Sequence, residues 1–207
     1  MINQWLVNCL SWGLGCLLLV LANLSQAGTF EVVEREQALI KAKFDQKAQI
    51  MASWYEADQA QAVHLMQLML DSQLYYLKQD KRLYQVEDAS SGAIAQRIHD
   101  GGLITLKKKR DVKRVSINNR LRSVFRQRVT ETQLSAAKPQ DRLAAAEAII
   151  GDTTPELMAT IARLRLGETD ASVLAAFDLV LAVATLHSSN EDQQRHSIRL
   201  LGESLHP

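Results

Sequence analysis

Apolar residues recur at helical spacing from Lys138 to Pro207, and cap residues divide them into short segments. Two of these apolar faces are formed by Leu157, Ile161 and Leu164, and by Val173, Phe177, Val180, Leu181 and Ala184. Gly151 and Gly167 follow apolar segments, where glycine suits the left-handed turn that ends a helix. Thr154-Pro155 and Thr169-Asp170 then offer caps for new helices. The pattern predicts four short helices in a helical-hairpin array.

A weak internal repeat runs through this array. Ile149-Ile150-Gly151 leads to Pro155, and Leu200-Leu201-Gly202 leads to Pro207. Stacked repeats bury each other's apolar faces, so Ile198 and its apolar neighbours would lack cover on one side. We therefore expect that the natural polypeptide continues or that a partner covers this end. The alternative is a simple C-terminal helix that folds back on the domain.

Residues 28–73 carry the same helical spacing with a weaker apolar side. Asp45 is the expected cap of a second helix in this region, and Glu56-Ala57-Asp58 is a polar turn before a third. The region is therefore predicted as a set of N-terminal helical hairpins.

The helical spacing is lost across residues 74–117. Leu74–Leu77 and Leu83–Val86 are β-prone and flank a polar turn, which predicts a β-hairpin. Leu103–Leu106 is a candidate third strand among loop residues. Ser116–Asn119 then offers cap residues to the next helix. We expect a small insertion of β-hairpin and loop, followed by helical repeats over residues 118–207.

The N-terminus has the layout of a secretory signal peptide. Residues 1–30 contain no Lys, Arg, Asp or Glu, and Trp5–Leu24 is mostly apolar. Ser25-Gln26-Ala27 places small residues at a cleavage site before Gly28. Residues 1–27 are thus predicted as a signal peptide, which implies export to the periplasm or to the periplasmic face of the inner membrane. An uncleaved anchor is the alternative, because about 20 apolar residues can span a bilayer.

The remaining chain shows no pattern typical of catalysis or metal binding. Cys9 and Cys16 both lie in the predicted signal peptide, which excludes a thiol nucleophile or a disulfide framework from the mature chain. The histidines have no metal-ligand spacing; they are His64, His99, His187, His196 and His206. Hydrolase elbows, phosphate-binding glycine loops and dinucleotide fingerprints are also missing. We expect no catalytic residue, no cofactor and no metal, and hence a protein that is not an enzyme.

Basic residues cluster between Lys107 and Arg128, although the formal net charge of the whole chain is only +1. The candidate interaction residues in this region are Lys107, Lys108, Lys109, Arg114, Arg120, Arg122 and Arg126. Nucleic acid is not expected, because an exported chain rarely meets it and only one aromatic residue, Phe125, lies within the cluster. An anionic membrane surface or an acidic face of another protein subunit would suit the cluster. The alternative is a solvated face whose charges pair locally.

Four short motifs resemble one protein family: Val115–Arg122 (VSINNRLR), Arg142–Ala146 (RLAAA), Glu168–Asp170 (ETD) and Leu200–Ser204 (LLGES). They resemble the extracytoplasmic N-terminal region of the urea ABC transporter permease of the branched-chain amino acid permease type. Members begin with a signal peptide and continue with a HEAT-like helical region that a small β-hairpin interrupts. The membrane-spanning permease follows. The resemblance implies a mainly α fold, a HEAT-like helical-hairpin array with a small β-hairpin and loop insertion.

The sequence departs from this family in two respects. Asp170-Ala171 and Asn190-Glu191 stand where members have an acidic residue followed by proline. In addition, no second apolar stretch long enough to span a membrane follows Leu24. The resemblance therefore carries over no transport-pathway residue.

The function that the resemblance implies is a non-catalytic module of a urea or short-amide importer. Its expected partners are the solute-binding protein or the other transporter subunits. Two alternatives are a free-standing periplasmic HEAT-like adaptor and, in a different class, a HEAT-like lyase enzyme. The reading frame downstream of Pro207 separates a truncated permease from an adaptor, and assays on tetrapyrrole and amide substrates test the lyase.

Overall fold

The computed structural model describes residues 31–151, 154–186, 194–195, 197–199 and 202. The predicted signal peptide at 1–27, the chain end at Pro207 and three histidines (His187, His196 and His206) lie outside the described residues. The fold is mainly helical with one small antiparallel sheet. The chain divides into two compact units, a sheet unit that ends at Asn118 and a helical unit that begins at Asn119.

The sheet unit begins with three helices: α1 (residues 31–41), α2 (Phe44–Ala57) and α3 (Gln59–Leu70). The prediction that Asp45 caps α2 is wrong, because this helix starts one residue earlier. The backbone N–H of Lys43 donates to the side chain of Gln46 at 3.1 Å, and Asp45 lies in the first turn. The predicted polar turn is confirmed at Asp58, whose carboxylate accepts the N–H of Gln61 at 3.0 Å and starts α3.

A five-stranded antiparallel sheet follows, in the order β4-β3-β2-β1-β5. Its strands are β1 (Leu74–Leu77), β2 (Leu83–Gln85), β3 (Ile94–Arg97), β4 (Leu103–Thr105) and β5 (Val112–Arg114). The predicted hairpin is confirmed as β1 and β2, and the predicted third strand corresponds to β4. Two strands were not predicted, β3 and β5. The insertion is thus a complete small sheet rather than a hairpin with loops.

The two faces of the sheet carry different buried side chains. Directly paired residues of neighbouring strands share a face. One face gathers Tyr84, Ala95 and Val112 in a core that the loop residues after β2 and β4 complete. The opposite face carries Leu74 and Leu83, both fully buried.

A buried ion pair links α1 to the second strand of the sheet. The carboxylate of Glu36, which is buried, accepts a hydrogen bond from Arg82 Nε at 2.6 Å. The same carboxylate oxygen accepts the backbone N–H of Leu83 at 3.3 Å. This contact joins the helices of the sheet unit to the sheet.

The helical unit contains α4 (Asn119–Leu134), α5 (Pro139–Ala148), α6 (Pro155–Arg165) and α7 (Ala171–Thr185). Its core includes Leu134, Ala146, Ile161, Val173, Phe177 and Val180. The helical spacing predicts the last four of these residues. The predicted N-terminal caps Thr154 and Asp170 are confirmed, whereas the prediction of a left-handed turn at Gly167 is wrong, because the φ angle of this glycine is not positive. Thr154 Oγ1 accepts the N–H of Leu157, and Asp170 accepts the N–H groups of Ser172 and Val173. Gly151 has φ +87°, a left-handed conformation that favours glycine.

Within the described ranges, no helix combines the length and the apolar character that crossing a membrane requires.

Candidate interaction surface

The basic residues predicted as one interaction region are divided between the two units. Lys107, Lys108, Lys109 and Arg114 belong to the sheet unit, whereas Arg120, Arg122 and Arg126 lie on α4 of the helical unit. Each set is therefore described within its own unit.

Lys107–Arg110, named here the basic turn, connects the two edge strands of the sheet. It runs from the end of β4 into a 3₁₀ turn at Lys109–Asp111, and β5 follows directly. The carboxylate of Asp111 accepts the backbone N–H of Lys108 at 3.1 Å. The Asp111 N–H donates in turn to the carbonyl oxygen of Lys108 at 3.0 Å. These reciprocal bonds hold the turn in one conformation.

Two neighbouring loops also bind the backbone of the basic turn. Lys78 Nζ donates to the carbonyl oxygen of Arg110 at 2.5 Å, and Ser91 Oγ donates to that of Lys107 at 2.7 Å. The backbone is thus fixed from both sides, whereas the side chains of Lys107, Lys108, Lys109 and Arg110 are exposed. The turn presents four cations from a fixed backbone.

Among the residues that the structure describes, no carboxylate forms an ion pair with the cations of the basic turn, with Lys113 or with Arg114. Asp111, the acidic residue within this segment, uses its carboxylate to accept a backbone N–H. The cations of the segment 107–114 are therefore exposed to solvent and form no ion pair among the described residues.

A cleft of about 550 Å³ lies beside the basic turn. Leu77, Ile104 and Leu106 provide its apolar lining, and Lys107 and Arg110 are among its charged lining residues. An acidic side chain with an apolar neighbour would find both complementary charge and apolar contact here.

The cations of α4 differ from one another in solvent exposure. Arg120 and Arg126 are exposed, but Arg122 is half-buried. Arg128 lies 3.6 Å from a carboxylate oxygen of Glu131 on the same helix. The predicted residues of α4 are therefore not equivalent, and Arg120 and Arg126 are its exposed candidates.

Sequence reasoning missed one buried cation, Lys47 of α2. Its side chain is 6% exposed, and Nζ donates to the carbonyl oxygen of Ser116 at 2.7 Å. Burial lowers the pKa of Lys47, and the nearby charge of Lys113 lowers it further. A signal was present, because Lys47, Met51 and Trp54 have the spacing of one helix face and all three are buried.

A second group of ionisable side chains, around Tyr84, stabilises the sheet. The hydroxyl of Tyr84 donates to Asp80 at 2.8 Å and accepts a hydrogen bond from Arg97 Nε at 3.2 Å. Burial raises the pKa of Tyr84. The backbone N–H of Gly102, followed by Arg97, lowers the pKa of Asp100. These directions favour the neutral phenol and the charged carboxylate at neutral pH, and the hydrogen bonds of the Tyr84 hydroxyl link β2 to Arg97 of β3.

Metal binding finds no support in the described part of the chain, where no three His, Cys, Asp or Glu side chains form a group that could hold an ion. No protein-family model, curated protein or solved structure matches the chain.

Proposed function

We propose that the chain is a non-catalytic extracytoplasmic module of a urea or short-amide ABC importer permease. In this proposal α4–α7 form a HEAT-like array, and the mature protein lies in the periplasm or at the periplasmic face of the inner membrane. Support comes from the order of the elements, since a small antiparallel sheet precedes a helix that begins within the NNRLR segment. That order matches the one that the resemblance implies.

The module acts by docking an acidic surface of the solute-binding protein or of the permease body. The observation that carries this proposal is the set of exposed cations on the basic turn, which have no carboxylate partner in the described part of the chain. Complementary charge steers association and fixes the orientation of a complex. A turn whose backbone is already fixed loses less conformational entropy when it binds.

Binding of the full chain to the cognate solute-binding protein tests this proposal. The double variant Lys108→Glu/Lys109→Glu reverses two exposed charges and leaves the hydrogen bonds of the turn backbone intact. We expect its association rate constant to fall about tenfold at low salt, with a smaller fall at high salt. Surface plasmon resonance at two ionic strengths measures both effects.

A matched control reverses the same number of charges elsewhere. Lys138 and Arg163 are exposed cations of the helical unit, and Lys138→Glu/Arg163→Glu should leave the association rate close to that of the wild type. A third variant, Arg120→Glu/Arg126→Glu, measures the contribution of α4 separately. Unchanged binding by the Lys108→Glu/Lys109→Glu variant would remove the basic turn from the docking surface.

A further inference from the structure

A second cleft of the sheet unit gathers cations around a buried amine. It has a volume of about 500 Å³ and is lined by residues of α2, β1 and β5 and by the segments beside them. Four of its lining residues are cationic: Lys43, Lys47, Lys113 and Arg114. Asp45 is the acidic residue of the lining. The cleft therefore carries a formal excess of positive charge.

Lys47 is the unusual member of this set. The protein buries its side chain to 6% exposure without an ion-pair partner among the described residues. Its ammonium group has three donors, and the carbonyl oxygen of Ser116 accepts one of them. The ring of Phe44, 5.6 Å from Nζ, adds a weak attraction. A buried ammonium is normally paired with an anion, because the desolvation of its charge is otherwise uncompensated.

The other cations of the cleft increase this imbalance. Lys113 belongs to the edge strand β5 and is paired with Tyr76, so both side chains lie on one face of the sheet. The charge of Lys113 opposes that of Lys47. Asp45 of α2 and Lys43, the residue before that helix, are both exposed. An anion in the cleft would relieve the repulsion between the cations and supply the missing partner of Lys47.

We propose that this cleft binds a free small oxyanion, a carboxylate or a phosphate. Lys47 donates to the anion from the closed side of the cleft, and Lys113 donates from the open edge of the sheet. Phe44 and Tyr76 provide aromatic lining for a small apolar group attached to the anion. The cleft volume lies within the range of small-molecule sites, roughly 300–1,000 Å³. The inference is independent of docking by the basic turn.

Titration of the full chain with inorganic phosphate and with acetate tests the inference, with chloride at equal ionic strength as reference. We expect saturable binding of at least one of the two anions by calorimetry, and a melting temperature that rises with its concentration. Binding of phosphate alone assigns the site to phosphate ligands, and binding of acetate alone assigns it to carboxylates. Absence of saturable binding by both anions overturns the proposal.

Two variants locate the site. Lys47→Met keeps most of the aliphatic stem and removes the charge, so we expect the affinity to fall at least about tenfold. Lys113→Ser changes an exposed residue, so it tests the site without a substitution at the buried Lys47, and it should weaken anion binding about threefold. Lys138→Ser, in the helical unit, is the matched control and should bind as the wild type does. If Lys47→Met fails to fold, Lys113→Ser tests the location of the site instead. An anion affinity equal to that of the wild type in Lys113→Ser would contradict the proposed site.

Discussion

The Arg142–Glu168 pair and the basic turn use positive charge in different ways. Arg142 donates to both carboxylate oxygens of Glu168, at 2.7 and 2.8 Å, and also to the carbonyl oxygens of Ala136 and Ala137. Glu168 additionally accepts the backbone N–H groups of the two residues that follow it. The cations of the basic turn, in contrast, contact no carboxylate within the described residues.

This difference separates charges that are paired within the fold from exposed charges that form no ion pair among the described residues. The side chains of Arg142 and Glu168 are 16% and 5% exposed, and together they connect the loop before α5 to the loop before α7. A bidentate pair that also satisfies backbone groups fixes the positions of those loops. The exposed lysines of the basic turn form no ion pair among the described residues, and they are expected to contribute little to folding.

Loss of Glu168 should produce the largest effect among the substitutions considered below. Glu168→Ala removes the acceptor of two Arg142 donors and of two backbone N–H groups. We expect the free energy of unfolding to fall by about 2–3 kcal/mol, because polar groups at a largely buried position lose their partners. Urea denaturation followed by circular dichroism measures the change. Glu147→Ala on exposed α5 surface is the matched control, with an expected change within about 0.5 kcal/mol.

The same ion pair predicts that the stability of the protein depends on pH. Hydrogen bonds, first from Arg142 and then from the backbone N–H of Asp170, lower the pKa of Glu168 from 4.5 to about 2. A carboxyl group with a lowered pKa in the folded state contributes stability that is complete above pH 4.5 and is lost as the pH falls through about 2.

Comparison of the wild type with Glu168→Gln isolates this contribution. We expect the wild type to be more stable by about 1–2 kcal/mol at pH 7, after allowance for solvent screening. The difference should decrease steadily between pH 4.5 and pH 2. A difference that stays constant across this interval would show that the charge of Glu168 contributes nothing.

The cap residues offer a comparison that does not depend on ion pairs. Asp58 caps α3 in the sheet unit, and Asp170 caps α7 in the helical unit. We expect Asp58→Ala and Asp170→Ala each to lower the free energy of unfolding by about 1 kcal/mol, with the larger loss at Asp170, which accepts two N–H groups. Asp170→Asn keeps an acceptor and should recover most of the loss. Equal stability of the wild type and Asp170→Ala would contradict the assigned cap.

Three of the predicted caps act as expected, because they depend on local chemistry, whereas Asp45 and Gly167 do not. Thr154, Asp170 and Gly151 act at the helix ends that their residue types indicate. The strand β3 was missed because Ala95 is its only buried side chain, which leaves no apolar alternation in the sequence. The strand β5 was missed for a related reason, since its exposed residues are cations and only Val112 is buried.

The sequence predicts which residues of the candidate site are basic, but it does not predict which of the protein's cations form ion pairs. The sequence identifies Lys107, Lys108 and Lys109 as basic, but it cannot show which cations meet a carboxylate. Arg142 of α5 pairs with Glu168 of the loop before α7, so their contact depends on the tertiary fold. Lys47 illustrates the same limit, because a lysine on a weakly apolar helix is ordinarily expected to be exposed.

The smallest effect on stability is expected where a substitution reverses the charge of an unpaired cation. Lys109→Glu changes an exposed residue of the basic turn that has no carboxylate partner among the described residues. We expect the free energy of unfolding to change by less than about 0.5 kcal/mol. Arg165→Glu is the matched reversal of a paired cation, because it places a second carboxylate beside Asp178 in the helical unit. Its expected loss is about 1 kcal/mol, since the pair is partly exposed and screened by solvent. If Lys109→Glu destabilised the protein as much as Arg165→Glu does, the charges of the basic turn would also serve folding, and the contrast between the two regions would fail.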